Sequence, residues 1–130
     1  MACTRSEDGA VAVEFALLLP ILIMLILGIL EFGLAYNAQI TVTNAAREGA
    51  RTMAIQNSTS AAKTAAETVS STLSPAVTDP EITITVSNGT TTCTGGSTAT
   101  VLIQYPFHFL TGFFGTGYTM TGKAAMGCGG

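Results

Sequence analysis

The sequence predicts an α+β protein with a long N-terminal transmembrane helix, a second short helix and a small antiparallel sheet of three or four strands. Three observations predict it. No charged residue occurs from Phe15 to Leu30. Helix-favouring residues then continue without proline to about Gln56. Beyond residue 80 apolar residues alternate with threonines, the period of a strand.

The first helix is justified by length and composition. Apolar residues make up 48% of the chain and charged residues only 10%, against roughly 25% charged in a typical soluble domain. Much of the apolar excess sits in residues 10–36. As a helix, residues 15–30 span about 24 Å and residues 10–36 about 40 Å, against a hydrocarbon core of about 30 Å. The remaining ~100 residues make too small a domain to cover such a run on all sides, which argues against a buried soluble helix. A secretory signal fits less well, because Arg5 is offset by Glu7 and Asp8, the core is long, and Glu14 and Glu31 bracket it. The small-residue site "GLA" at 33–35 is a weak cleavage site. Pro20 removes the N–H that would bond the Ala16 carbonyl, so a mild kink or loosened turn is expected there. Gly28 and Gly33 leave room for another helix.

From Tyr36 to about Gln56 the helix continues, with Tyr36, Ile40 and Val42 as sparser apolar positions. Arg47 and Arg51 are four apart and share a face, with Glu48 on a neighbouring one. They read as a solvated face or a structural salt bridge, or as a subunit contact. Residues 57–60 supply turn and cap residues, and an alanine-rich stretch predicts a second helix at about 60–73, ended before Pro75.

The sheet follows. "EITITVS" puts Ile82, Ile84 and Val86 on one face, and Asn88-Gly89 is a hairpin-turn dipeptide. Residues 98–107 and 118–126 are the next β runs, separated by glycine-rich breaks. The aromatic loop containing Phe107, Phe109, Phe113 and Phe114 reads as core plugs or membrane-proximal anchors, with a partner site as the sharper reading.

Several classes are excluded on chemistry. A net charge of −3 with no basic run argues against nucleic acid as a partner. Cys3, Cys93 and Cys128 form no CxxC or Cys/His spacing, so no zinc site is expected. His108, the single histidine, stands between two phenylalanines and reads as structural. Glu67, Asp79 and Glu81 show no catalytic or metal-ligand spacing. No enzyme activity and no cofactor are expected.

The segment "GAVAVEF" at 9–15 resembles the processing site of prepilins in the type IV pilus superfamily, with the Glu-Phe pair of the Flp, or tight adherence, branch. The wider run over 9–51 resembles the TadE-like family of pseudopilins and minor pilins. It carries Gly9, Glu14-Phe15, Pro20, "GILEFG" at 28–33, Tyr36, Gln39 and "AAREGAR" at 45–51. Residues 52–130 carry no matching motif.

The resemblance implies that a prepilin peptidase cuts between Gly9 and Ala10. Residues 1–9 are then a cytoplasmic leader, 10–36 a transmembrane and assembly helix, and 37–130 an extracytoplasmic α+β domain. Charge counting alone does not fix that orientation. Glu14 would pair with the terminal ammonium of a neighbouring subunit, with Pro20, Glu31, Arg47, Glu48 and Arg51 as further assembly positions. The partners implied are the peptidase, other pilin subunits, the assembly platform and membrane lipid.

With the domain outside the cytoplasm, Cys93 and Cys128 are candidates for a disulfide, the alternative being two buried thiols. Cys3 would leave with the leader. The competing expectations are a single-span anchor whose domain binds a partner without entering a filament, and a secreted domain cut near Ala35.

Overall fold

The computed structural model describes residues 5–129, with side chains from Glu7 onward. Cys3 and the Arg5 side chain lie outside the described residues. In chain order the elements are helix α1 (Arg5–Gln56), helix α2 (Thr59–Val69), a 3-10 turn (Asp79–Glu81) and strands β1 (Ile82–Val86), β2 (Thr98–His108) and β3 (Gly117–Gly127). The α+β class stands, with three strands in the sheet. The chain divides into two compact units, Met1–Leu34 and Ala35–Gly130.

In the first unit α1 runs through Pro20 without interruption. It begins at Arg5 rather than near Ala10, with Glu7 and Asp8 in its first turn, where negative charge favours a helix N-terminus. Phe15, Leu17, Leu18, Ile23 and Met24 are all exposed, at positions that go right round the helix.

In the second unit β2 is the central strand, antiparallel to β1 and β3. Ala99, Val101, Ile103, Tyr105 and Phe107 alternate inward along it. The helical segment from residue 35 buries Ala35, Ala38, Val42, Ala45, Ala46, Ala50 and Met53, the stripe expected of one helix face. Small side chains let backbones approach closely. A Cβ added at Gly122 of β3 would lie 2.6 Å from the Val42 carbonyl oxygen. One added at Gly49 would lie 3.3 Å from the Ala62 carbonyl oxygen of α2 and 3.4 Å from Val101 Cγ1. The Gln39 side-chain amide donates to the Thr121 carbonyl at 3.0 Å, fastening the same helix to β3.

α1 ends at Asn57, whose φ of 51° is left-handed and whose N–H donates to the Met53 carbonyl at 2.9 Å. Asn57 Oδ1 then accepts the Cys93 N–H at 2.5 Å. Ser58 caps α2, accepting from Ala61 N–H at 3.2 Å. α2 stops at Val69, earlier than the expected 73. Ser70 is buried and turns its hydroxyl back onto the Ala66 carbonyl at 2.8 Å, a local bond that competes with helix propagation. The 3-10 turn is held by Glu81, whose carboxylate accepts the Thr78 N–H at 2.6 Å. Lys63 Nζ to Asp79 Oδ1, at 2.5 Å, ties it to α2.

The Asn88-Gly89 turn forms, but it does not make a two-residue hairpin. Val86 pairs with Ala99, so the connection runs through residues 87–97. Asn88 organises it, accepting from Thr90 N–H at 3.0 Å and donating to the Thr92 carbonyl at 3.0 Å. Cys93 in this loop is disulfide-bonded to Cys128 just past β3, with Cα atoms 5.4 Å apart. The bridge closes a sequence separation of 35 residues, and its loss is expected to cost about 2–4 kcal/mol. Urea denaturation of the full chain with and without reductant checks this. An unchanged midpoint would show that the bridge adds nothing.

Tyr105, buried on the inner face, donates its hydroxyl to the Pro75 carbonyl at 2.9 Å. Burial, and secondarily the Glu81 carboxylate, raise its pKa above the usual value near 10. The folded state therefore keeps this proton to higher pH than the unfolded chain. The associated stability is intact below about pH 10 and falls as pH rises through the folded value. Tyr105→Phe is expected to lose about 1 kcal/mol at neutral pH and to show a shallower alkaline decline. Urea midpoints at neutral and alkaline pH read both effects.

Candidate membrane and assembly segment

Gly9 and Ala10 lie within α1, and a Cβ added at Gly9 meets nothing within 4 Å. Glycine inside a helix costs about 1 kcal/mol relative to alanine, so this turn is a weak point in the helix. Glu14 lies one turn on, about 6 Å along the axis on the face that carries Ala10. Glu14 is exposed, and among the described residues no cation is within ion-pair distance. Phe15 points about 100° around from it and is also exposed.

Glu31 differs. It is only 2% exposed, whereas its neighbour Phe32 is 71% exposed. Glu31 lies seventeen positions after Glu14, which sets the two carboxylates about 100° apart around the helix. They therefore do not lie on one face. Pro20 is exposed within the run.

Arg47, Glu48 and Arg51 lie in the second unit. Arg51 and Glu48 form a long, exposed pair at 3.9 Å, the kind of surface bridge that adds little stability. Arg47 is exposed, with no carboxylate within ion-pair distance among the described residues.

The aromatic positions split. Phe107 is buried and Phe109 packs partly against the core, as core plugs. Phe113 and Phe114 are exposed. His108 is exposed, with Nδ1 3.4 Å from the Thr116 carbonyl oxygen. Sequence reasoning placed Asn57 at a turn but missed its bond to the Cys93 N–H, the close approach at Gly122 and the Tyr105 to Pro75 bond. Asn57 carried a signal, since asparagine favours left-handed helix ends.

By length and composition α1 is able to cross a membrane, and its apolar window is wholly unburied. Joined to a small disulfide-bonded α+β unit, that helix is the build of a membrane-anchored protein. Residues 9–51, 43 of the 130, match the model of the TadE-like protein family. Over that segment the chain is similar to TadE-like proteins, as its motifs indicated. Comparison with curated proteins and with solved structures gives no match. The family match and the apolar helix together fit a membrane protein associated with a Tad pilus.

Proposed function

We propose that this chain is a pseudopilin or minor pilin of a tight-adherence pilus, a structural subunit with no catalytic role. A prepilin peptidase trims it between Gly9 and Ala10. It waits in the membrane on the helix from Ala10 to Tyr36 with its leader inside and its C-terminal domain outside, then takes part in assembly. The observation that carries this reading is the family match from Gly9 to Arg51, which spans the whole apolar run together with the "AAREGAR" segment.

The physical role of Glu14 follows from the trim. Cutting creates an ammonium at Ala10, one turn from a carboxylate that costs about 2.5–3.5 kcal/mol at a bilayer centre and less near its surface. Pairing Glu14 with the ammonium of a neighbouring subunit offsets the burial of both charges and sets axial register. The exposure of Glu14 is compatible with an intermolecular partner.

The test is the intact mass and N-terminal sequence of the protein from its native membrane. A chain beginning at Ala10 is the expected result. A chain retaining residues 1–9 in assembled pili would overturn processing. A chain retained whole and absent from pili would leave a plain membrane anchor.

A further inference from the structure

We propose that the β2–β3 loop, residues 109–116, is a second membrane contact, inserting Leu110, Phe113 and Phe114 into the interfacial layer of the bilayer that holds α1. The proposal rests on reading residues 10–36 as a membrane span.

The loop concentrates exposed apolar surface. Leu110 is 79% exposed, Phe113 61% and Phe114 46%. These rings are anchored to the core. Phe113 lies 5.7 Å from Phe114, Phe114 lies 6.4 Å from Phe109, and Phe109 lies 5.6 Å from buried Phe107, centroid to centroid. The tip is tight, with Gly112 and Gly115 at positive φ and the Gly115 N–H donating to the Gly112 carbonyl at 3.3 Å. A preorganised apolar cluster of this kind calls for a covering phase.

Position within the second unit selects lipid as that phase. Gly49 packs on Val101, Val42 on Gly122, and Gln39 bonds to Thr121. Gly122 pairs with Ile103, and Thr121 with Gln104. Moving along the helix toward Ala35 is therefore moving along β2 and β3 toward their connecting loop. Ala35 is the residue at which this unit joins the apolar run. The loop thus lies at the end of the unit where the chain leaves the membrane.

The opposite loop, 87–97, is built of Ser, Asn, Gly, Thr and Cys, with no large apolar side chain. The two ends of the sheet differ in polarity as a bilayer surface and water do. Residues 82–122 contain no Asp, Glu, Lys or Arg, so no formal charge would be desolvated on insertion. Aromatic side chains favour that interfacial depth.

The chain has no tryptophan, so single-tryptophan variants of the full chain report depth cleanly. Phe113→Trp, Phe114→Trp, Thr91→Trp in the far loop and Ile23→Trp in the span are reconstituted in phosphatidylethanolamine and phosphatidylglycerol vesicles. Half of the preparations carry brominated acyl chains. The expected result is strong bromine quenching at positions 23, 113 and 114, and none at 91. Quenching at 23 without quenching at 113 and 114 overturns the loop proposal alone. No quenching at 23 overturns the span reading and this proposal with it. Equal quenching at 91 and 113 also overturns it, since contact would not be a property of this loop. Blue-shifted but unquenched emission at 113 would assign the cluster to a protein neighbour instead.

Discussion

Gly122→Val is expected to unfold the disulfide-bonded unit at denaturant concentrations that leave the parent chain folded. Valine suits a strand, so local propensity favours the change. The outcome is decided by collision. The new Cβ would sit 2.6 Å from the Val42 carbonyl oxygen and 2.7 Å from Val42 Cγ1. The first of these is backbone, so relief requires the helix to move away from the sheet. That motion would loosen the alanine stripe from Ala35 to Ala50 together. Overpacking typically costs about 1–3 kcal/mol, and a backbone obstacle puts this case at about 3 kcal/mol or above. Urea denaturation of the full chain in detergent measures it. Gly127→Val is the control, because a Cβ at Gly127 meets nothing within 4 Å. Equal midpoints for the two variants would sink the close-approach account.

Glu14→Ala is expected to leave membrane insertion intact and to deplete the subunit from purified pili. Removing a carboxylate from an apolar run lowers the cost of insertion, so an assembly defect would not be a failure to anchor. On the proposed pairing the cost falls on the neighbouring subunit, whose ammonium would be left buried without its counter-charge. Glu14→Gln keeps the size and removes the charge, and it should fail in the same way. Membrane fractionation measures anchoring, and immunoblots of sheared pili measure incorporation. Pili of normal number and length, containing either variant at parental levels, would reject the register role.

The parts of the fold that follow from period and composition were legible. The uncharged run marked the apolar helix, and the alternation of Ile82, Ile84 and Val86 marked a strand with one apolar face. The pairing of Cys93 with Cys128 was accessible once Cys3 was set aside with the leader. What escaped depends on tertiary position. Nothing local distinguishes Gly122, which meets a helix backbone, from Gly127, which meets nothing. The early end of α2 turns on one buried hydroxyl, at Ser70. Asn88-Gly89 does turn the chain, yet strand register and the bridge at Cys93 set the loop length.

In the apolar segment Gly9, Ala10 and Glu14 were legible only through the resemblance to a prepilin processing site. That Glu14 is exposed while Glu31 is buried was not, because both are carboxylates beside the same apolar run.

The scarcity of charge in the sheet also bears on the conditions under which it works. Lys123 is the only Asp, Glu, Lys or Arg in its three strands. The outer face, which carries that lysine, is otherwise lined by uncharged groups that include Thr83, Thr85, Thr98, Gln104, Thr119 and Thr121. Mobile ions screen charges and leave hydroxyl and amide hydrogen bonds largely untouched. Contacts made through that face should therefore hold almost equally in fresh water and in brine, whereas any contact made through Arg47 and Arg51 would weaken as salt rises.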